Sequence, residues 1–109
     1  MSPSPAQRRV ASEHVLGLAS VIDDMIDSGD EATRASDLRQ IAALEKVARW
    51  LRGDARRRPH KLTLAEVAGL LEDRATEVQR WTYEPWEERE MEYPEQAEAL
   101  RAVARWLLE

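Results

Sequence analysis

The sequence predicts an all-α protein, a small four-helix bundle with up-down-up-down connectivity. Three observations predict it. Apolar residues recur at spacings of three and four in four stretches, each with a recognisable start or stop. No stretch alternates β-branched and polar residues, so no sheet is expected. A nine-residue phrase also occurs twice. ALEKVARWL at 43–51 and ALRAVARWL at 99–107 agree at seven of nine places, 56 positions apart. That offset suggests two pseudo-repeated helical hairpins, although Ala, Leu, Arg and Glu are common enough here for a short chance match. One domain of 109 residues is expected, with hairpin 1 over about 4–53, a basic loop over 54–61 and hairpin 2 over about 62–109. The competing architecture has the two hairpins splayed apart, completing their cores by dimerising.

The first helix has a readable start. Ser4 suits the N-cap, Pro5 the first helical position, and Gln7 closes a capping box. Ala11, Val15, Leu18, Ile22 and Met25 form its expected buried stripe, and Gly29 its left-handed stop. The second helix is expected to start near Ser36, with Asp30 or Thr33 as earlier candidates. Its stripe is Ile41, Leu44, Val47, Ala48 and Leu51, and Gly53 ends it. For the third helix, Thr63 and Glu66 read as a capping box and Leu62 as a staple on Val67. Its stripe is Leu64, Val67, Leu71, Ala75 and Val78. A short helical turn between Pro85 and Pro94 is expected to break before Pro94, which fits the first turn of the fourth helix. That helix would bury Ala97, Leu100, Val103, Ala104 and Leu107.

Composition narrows the functional classes. Apolar content of 43% with 34% charged residues is that of a folded, charge-rich domain. The chain has no cysteine, which removes thiolate chemistry, disulfides and sulfur-bound zinc and fits a reducing cytoplasm. The N-terminus has two arginines but no apolar run behind them, so no secretion signal is expected, and no membrane span either. Phe is absent while Trp occurs four times, so tryptophan supplies most of the aromatic bulk. Trp50 and Trp106 occupy equivalent places in the repeated phrase, about 120° from the centre of the buried stripe. Each can close a groove against a neighbouring helix, or form a homodimer face, since Trp is favoured at contact hot spots.

Two short stretches resemble known families. Asp23-Asp24-Met25-Ile26-Asp27 spells D-D-x-x-D and resembles the aspartate-rich motif of isoprenyl diphosphate synthases, which implies Mg²⁺ held against a diphosphate. The resemblance covers five residues, and no second acidic motif accompanies it. These aspartates also crowd the end of a helix, where the macrodipole disfavours negative charge. Residues 62–81 are similar to the helix-turn-helix of MerR-like and excisionase-like DNA-binding proteins, through Leu62, Glu66, Val67, Ala68, Leu70, Leu71, Val78, Arg80 and Trp81. Glu72 replaces the turn glycine and Asp73 the apolar residue after it, and the stretch also reads as one uninterrupted helix. His14 and His60 lack partners at metal-ligand spacing, and no nucleophile elbow or phosphate loop is present, so neither an enzyme nor a cofactor is expected.

The charge pattern carries the functional expectation. Residues 20–38 contain six acids and one base, and residues 77–98 eight acids and two bases, in a chain of net charge −5. The rest of the chain is therefore net basic. In an up-down-up-down bundle these acidic windows share one end, giving a polar molecule. Asp23, Asp24, Asp27, Glu84, Glu87, Glu88 and Glu90, with Trp86, Met91 and Tyr93 as apolar anchors, form the expected partner-binding surface. Such a surface suits a basic protein, so an inhibitor or adaptor of a nucleic-acid-handling protein is the concrete expectation. The competing expectation is a DNA-binding regulator that uses Arg56, Arg57, Arg58, Lys61, Arg74 and Arg80. Net acidity makes nucleic acid the less favoured partner.

Overall fold

The computed structural model describes residues 2–26, 30–81 and 91–109. Four helices fill them: α1 Pro5–Met25, α2 Glu31–Arg52, α3 Lys61–Val78 and α4 Tyr93–Leu107, with no strand among the described residues. The start of α1 follows its sequence signals. Ser4 Oγ accepts the Gln7 N–H at 3.1 Å while Gln7 Oε1 accepts the Ser4 N–H at 2.9 Å, a complete capping box. The end of α1 comes earlier than expected, at Met25 with Ile26 as C-cap; Gly29 lies outside the described residues. α2 takes the earliest of its three candidate starts. Asp30 Oδ1 accepts the Thr33 N–H at 2.8 Å, and this bond holds the Asp30 carboxyl below its ordinary pKa. Gly53 closes α2 at φ 85°, a conformation other residues rarely adopt.

α3 corrects the Thr63 capping box. The helix begins at Lys61, with His60 as N-cap and its Nδ1 accepting the Leu62 N–H at 3.2 Å. Buried Pro59 fixes the chain in front of it, so the helix opens before the threonine is reached. Thr63 therefore lies within the first turn, and Leu62, 69% exposed, makes no staple. Thr63→Ala should change the unfolding free energy by less than about 0.5 kcal/mol. His60→Asn, which installs a preferred cap, should raise it by roughly 0.5–1 kcal/mol. Urea unfolding of the two variants measures both. A substantial loss in Thr63→Ala would return the cap to the threonine.

Contacts between helices fix their directions. Arg8 Nη2 donates to the Trp50 carbonyl at 3.3 Å and buried Ser12 donates to the Ala48 carbonyl at 3.0 Å, so the start of α1 lies on the end of α2. His14 meets Gln96 while Arg8 meets Trp106, which makes α1 and α4 antiparallel. Arg101 donates to Gln79 at 2.7 Å, beside the turn that leaves α3. The result is the expected up-down-up-down order. Packing between the two hairpins is unequal, however: α1 runs along α4, whereas α2 touches α3 only slightly.

The core contains every Leu and Val of the repeated phrase. Leu44, Val47, Ala48 and Leu51 are buried on α2, as are Leu100, Val103, Ala104 and Leu107 on α4. They pack with Ala11 and Val15 of α1 and with Leu64, Val67, Leu71, Ala75 and Val78 of α3. The stripe of α1 departs from expectation in its second half. Ala19 is its last buried residue, Leu18 and Ile22 are half-buried, and Met25 is 63% exposed.

Candidate functional site

The end of α1 and the start of α4 do not share one level. His14, in the middle of α1, is bonded to the fourth residue of α4. Eleven further residues of α1 follow His14. At 1.5 Å per residue the tip of the α1–α2 hairpin therefore projects roughly 10 Å beyond the start of α4. Burial follows this stagger: among the described residues none between 20 and 43 is buried. The tip carries Asp23, Asp24, Asp30, Glu31 and Asp37, with Val21 at 54%, Met25 at 63% and Leu38 at 52% exposure among them. Among the described residues this end of the bundle is thus stepped, because helix offset depends on long-range packing, and the glutamates at 84, 87, 88 and 90 lie outside them.

On the lower step, Met91 and Tyr93 are half-buried. Gln96 Nε2 donates to the Met91 carbonyl at 2.9 Å. The Tyr93 ring meets Trp81 edge-on at 5.3 Å, a favourable aromatic geometry. Asp27, Glu84, Trp86, Glu87, Glu88 and Glu90, and the turn expected between Pro85 and Pro94 as far as residue 90, lie outside the described residues. No group of three or more His, Cys, Asp or Glu side chains suited to a metal ion occurs among the described residues. Asp27, the third aspartate of the D-D-x-x-D pattern, is not one of those residues.

Beside this step lies a polar network: the place of His14 at the margin of the α1 stripe predicts a packed, hydrogen-bonded histidine, but the sequence does not supply its partners. His14, 9% exposed, places Nε2 2.9 Å from Gln96 Oε1 and accepts at Nδ1 from Arg74 Nε at 3.1 Å. The Arg74 guanidinium also lies 4.8 Å from the Trp81 ring and pairs with Glu77 at 3.3 Å. Three segments distant in sequence meet here, and no local pattern could announce it. Burial, the largest influence, lowers the His14 pKa from its ordinary 6.5; Gln96 opposes this, Arg74 reinforces it and Glu13 opposes it.

The basic end is organised by the repeated tryptophans. Trp50 and Trp106 stack on each other, rings 5.1 Å apart and within 2° of parallel. Arg8 lies 5.3 Å from the Trp106 ring and 6.0 Å from Trp50, and Arg58 lies 5.7 Å from Trp50. Each half-buried ring thus closes a groove against the other helix of its own chain. Arg58 also donates to the Glu109 carbonyl at 3.1 Å. An open cleft of about 390 Å³ next to this pair is lined by Arg8, Arg9 and Arg52 but also by Glu13 and Asp54, so its lining selects no ligand charge.

The nucleic-acid candidates divide. Arg56, Arg57, Lys61 and Arg80 are exposed. Arg58 is exposed too but tied to Glu109 and Trp50, and Arg74 is taken by His14, Glu77 and Trp81. The helix-turn-helix reading of 62–81 needs correction. Residues 61–78 form one continuous helix, because Glu72 and Asp73 stand where a breaking residue would be required. Among the described residues no helix is long and apolar enough to cross a membrane. No protein-family model matches the chain, and no curated protein or solved structure is significantly similar to it.

Proposed function

We propose that this protein is a non-enzymatic interaction module, an inhibitor or adaptor that docks its acidic face on a basic surface of a nucleic-acid-handling protein. One observation carries the reading. The tip of the α1–α2 hairpin keeps Val21 and Leu38 more than half exposed among Asp23, Asp24, Asp30, Glu31 and Asp37. Apolar side chains among five carboxylates and two bases, Arg34 and Arg39, combine an anchor with a net-acidic orienting field, the two elements of a selective interface. Trp86 and its flanking Glu84, Glu87, Glu88 and Glu90 belong to the same reading by composition. A positive partner surface meets these carboxylates, whereas a nucleic-acid backbone is repelled by them.

Affinity capture from the native host, followed by binding measurements on the partner recovered, tests this. Asp23→Lys with Asp24→Lys should slow association and flatten its salt dependence, while Trp86→Ala should weaken the complex by about 2 kcal/mol or more. Folded variants that bind like wild type would remove the acidic face from consideration. A steeply salt-dependent shift of a labelled duplex would instead favour Arg56, Arg57, Arg58 and Lys61 acting on phosphates.

A further inference from the structure

The protons of the buried network can be assigned from its donors. A guanidinium has no acceptor, so Arg74 Nε must donate and His14 Nδ1 must accept. The ring proton therefore sits on Nε2 and is donated to Gln96 Oε1, leaving the Gln96 amide nitrogen to donate to the Met91 carbonyl. The chain runs in one direction, from Arg74 through His14 and Gln96 to the Met91 backbone. It crosses from α3 over α1 to the start of α4, and the bond from Arg74 needs a neutral imidazole.

We propose that this chain is an acid-sensitive latch, in which a second proton on His14 releases the end of α3 from α1 and, through Trp81, loosens the start of α4. That proton has one place to go, Nδ1, where it meets the Arg74 N–H head-on. An acceptor becomes a donor, and two positive groups face each other across a bond of 3.1 Å. The groups around the imidazole are Glu13 on α1, Arg74 with its partner Glu77 on α3, and Gln96 on α4, with Trp81 6.0 Å away. Glu77 is 63% exposed and already paired with Arg74, so it offsets the repulsion only weakly. Loss of the Arg74 contact also loosens the guanidinium from Trp81, whose edge contact with Tyr93 positions the first residue of α4.

The direction of the pH effect follows from the lowered pKa. At intermediate pH the unfolded chain binds the proton that the folded one refuses, so stability rises with pH. The latch contributes fully above the unfolded value of 6.5 and is lost as pH falls through the folded value. Acidification is thus the opening signal.

An NMR titration of the full chain tests the latch. It follows the His14 imidazole, the Trp81 indole and hydrogen exchange of the amides from Gln96 to Leu100. The indole and the amides should change with the His14 midpoint, exchange rising about tenfold beyond its intrinsic pH dependence. His60→Asn, which removes the only other histidine, should leave the transition in place. His14→Gln, which keeps a donor for Gln96 but cannot titrate, should abolish it. Arg74→Gln removes the opposing charge, so the His14 midpoint should move upward and the amides should no longer follow it. If His14→Gln fails to fold, the Arg74→Gln shift decides alone. A His14 titration that leaves Trp81 and the amides unchanged would overturn the latch, as would a transition surviving in folded His14→Gln. An unmoved midpoint in Arg74→Gln would overturn it as well.

Discussion

Leu100→Ala should lower the unfolding free energy by about 2–5 kcal/mol, whereas Leu38→Ala should change it by no more than about 0.5 kcal/mol. Leu100 is fully enclosed in the core, on a helix packed between α1 and α3. Removing its side chain forfeits the transfer free energy of the lost carbons and leaves a cavity that the α-helical backbones cannot fully close. Leu38 is 52% exposed and has little burial to lose. For a domain of this size each kcal/mol moves the melting temperature by roughly 4–8 °C. The first substitution should therefore shift melting by ten degrees or more, while the second leaves it almost in place. Urea unfolding at constant m-value gives the free energies directly. A comparable loss at Leu38 would mean that the hairpin tip is packed in solution, and the proposed docking face would then be occupied.

Leu44 and Leu100 illustrate what the sequence could reveal. Both occupy the same place in a repeated phrase, both lie on a stripe of helical period, and both are buried. Local signals were equally readable where the chemistry is local: the Ser4 capping box, Gly53 in the left-handed region and Pro94 in the first turn of α4. Thr63 shows the limit of such signals. Its capping-box spacing is sound, yet Pro59 and His60, four and three residues earlier, open the helix first. Met25 continues an unbroken apolar period but is exposed, because periodicity reports a face and not whether another helix covers it. Arg74 fits a nucleic-acid contact by charge alone, and only the approach of α1 gives it His14 instead. The site residues beyond the stagger are legible in the sequence as charge and bulk, and their placement is not.

The second large effect is expected at the tryptophan pair. Trp106→Ala should cost on the order of 2–4 kcal/mol, below the range for a fully enclosed aromatic because the ring is half-buried. Trp50→Ala should cost a similar amount. The two losses should not add. Once one ring is gone the other has lost its stacking partner, so the double variant should fall short of the sum by roughly 0.5–1.5 kcal/mol. Arg8→Ala probes the same unit from below. It removes a guanidinium near both rings and a bond to the Trp50 carbonyl, and its Nε is buried without a hydrogen-bond partner. Because the indoles satisfy each other within one chain, wild-type melting should not depend on protein concentration. A homodimer assembled through either ring makes the opposite prediction: melting rises with concentration, and Trp→Ala abolishes that rise. Unfolding of the two single variants and the double, repeated over a hundredfold range of concentration, separates the cases. Additive losses with a concentration-dependent midpoint would break the intramolecular stack and return Trp50 and Trp106 to the role of an interface between copies.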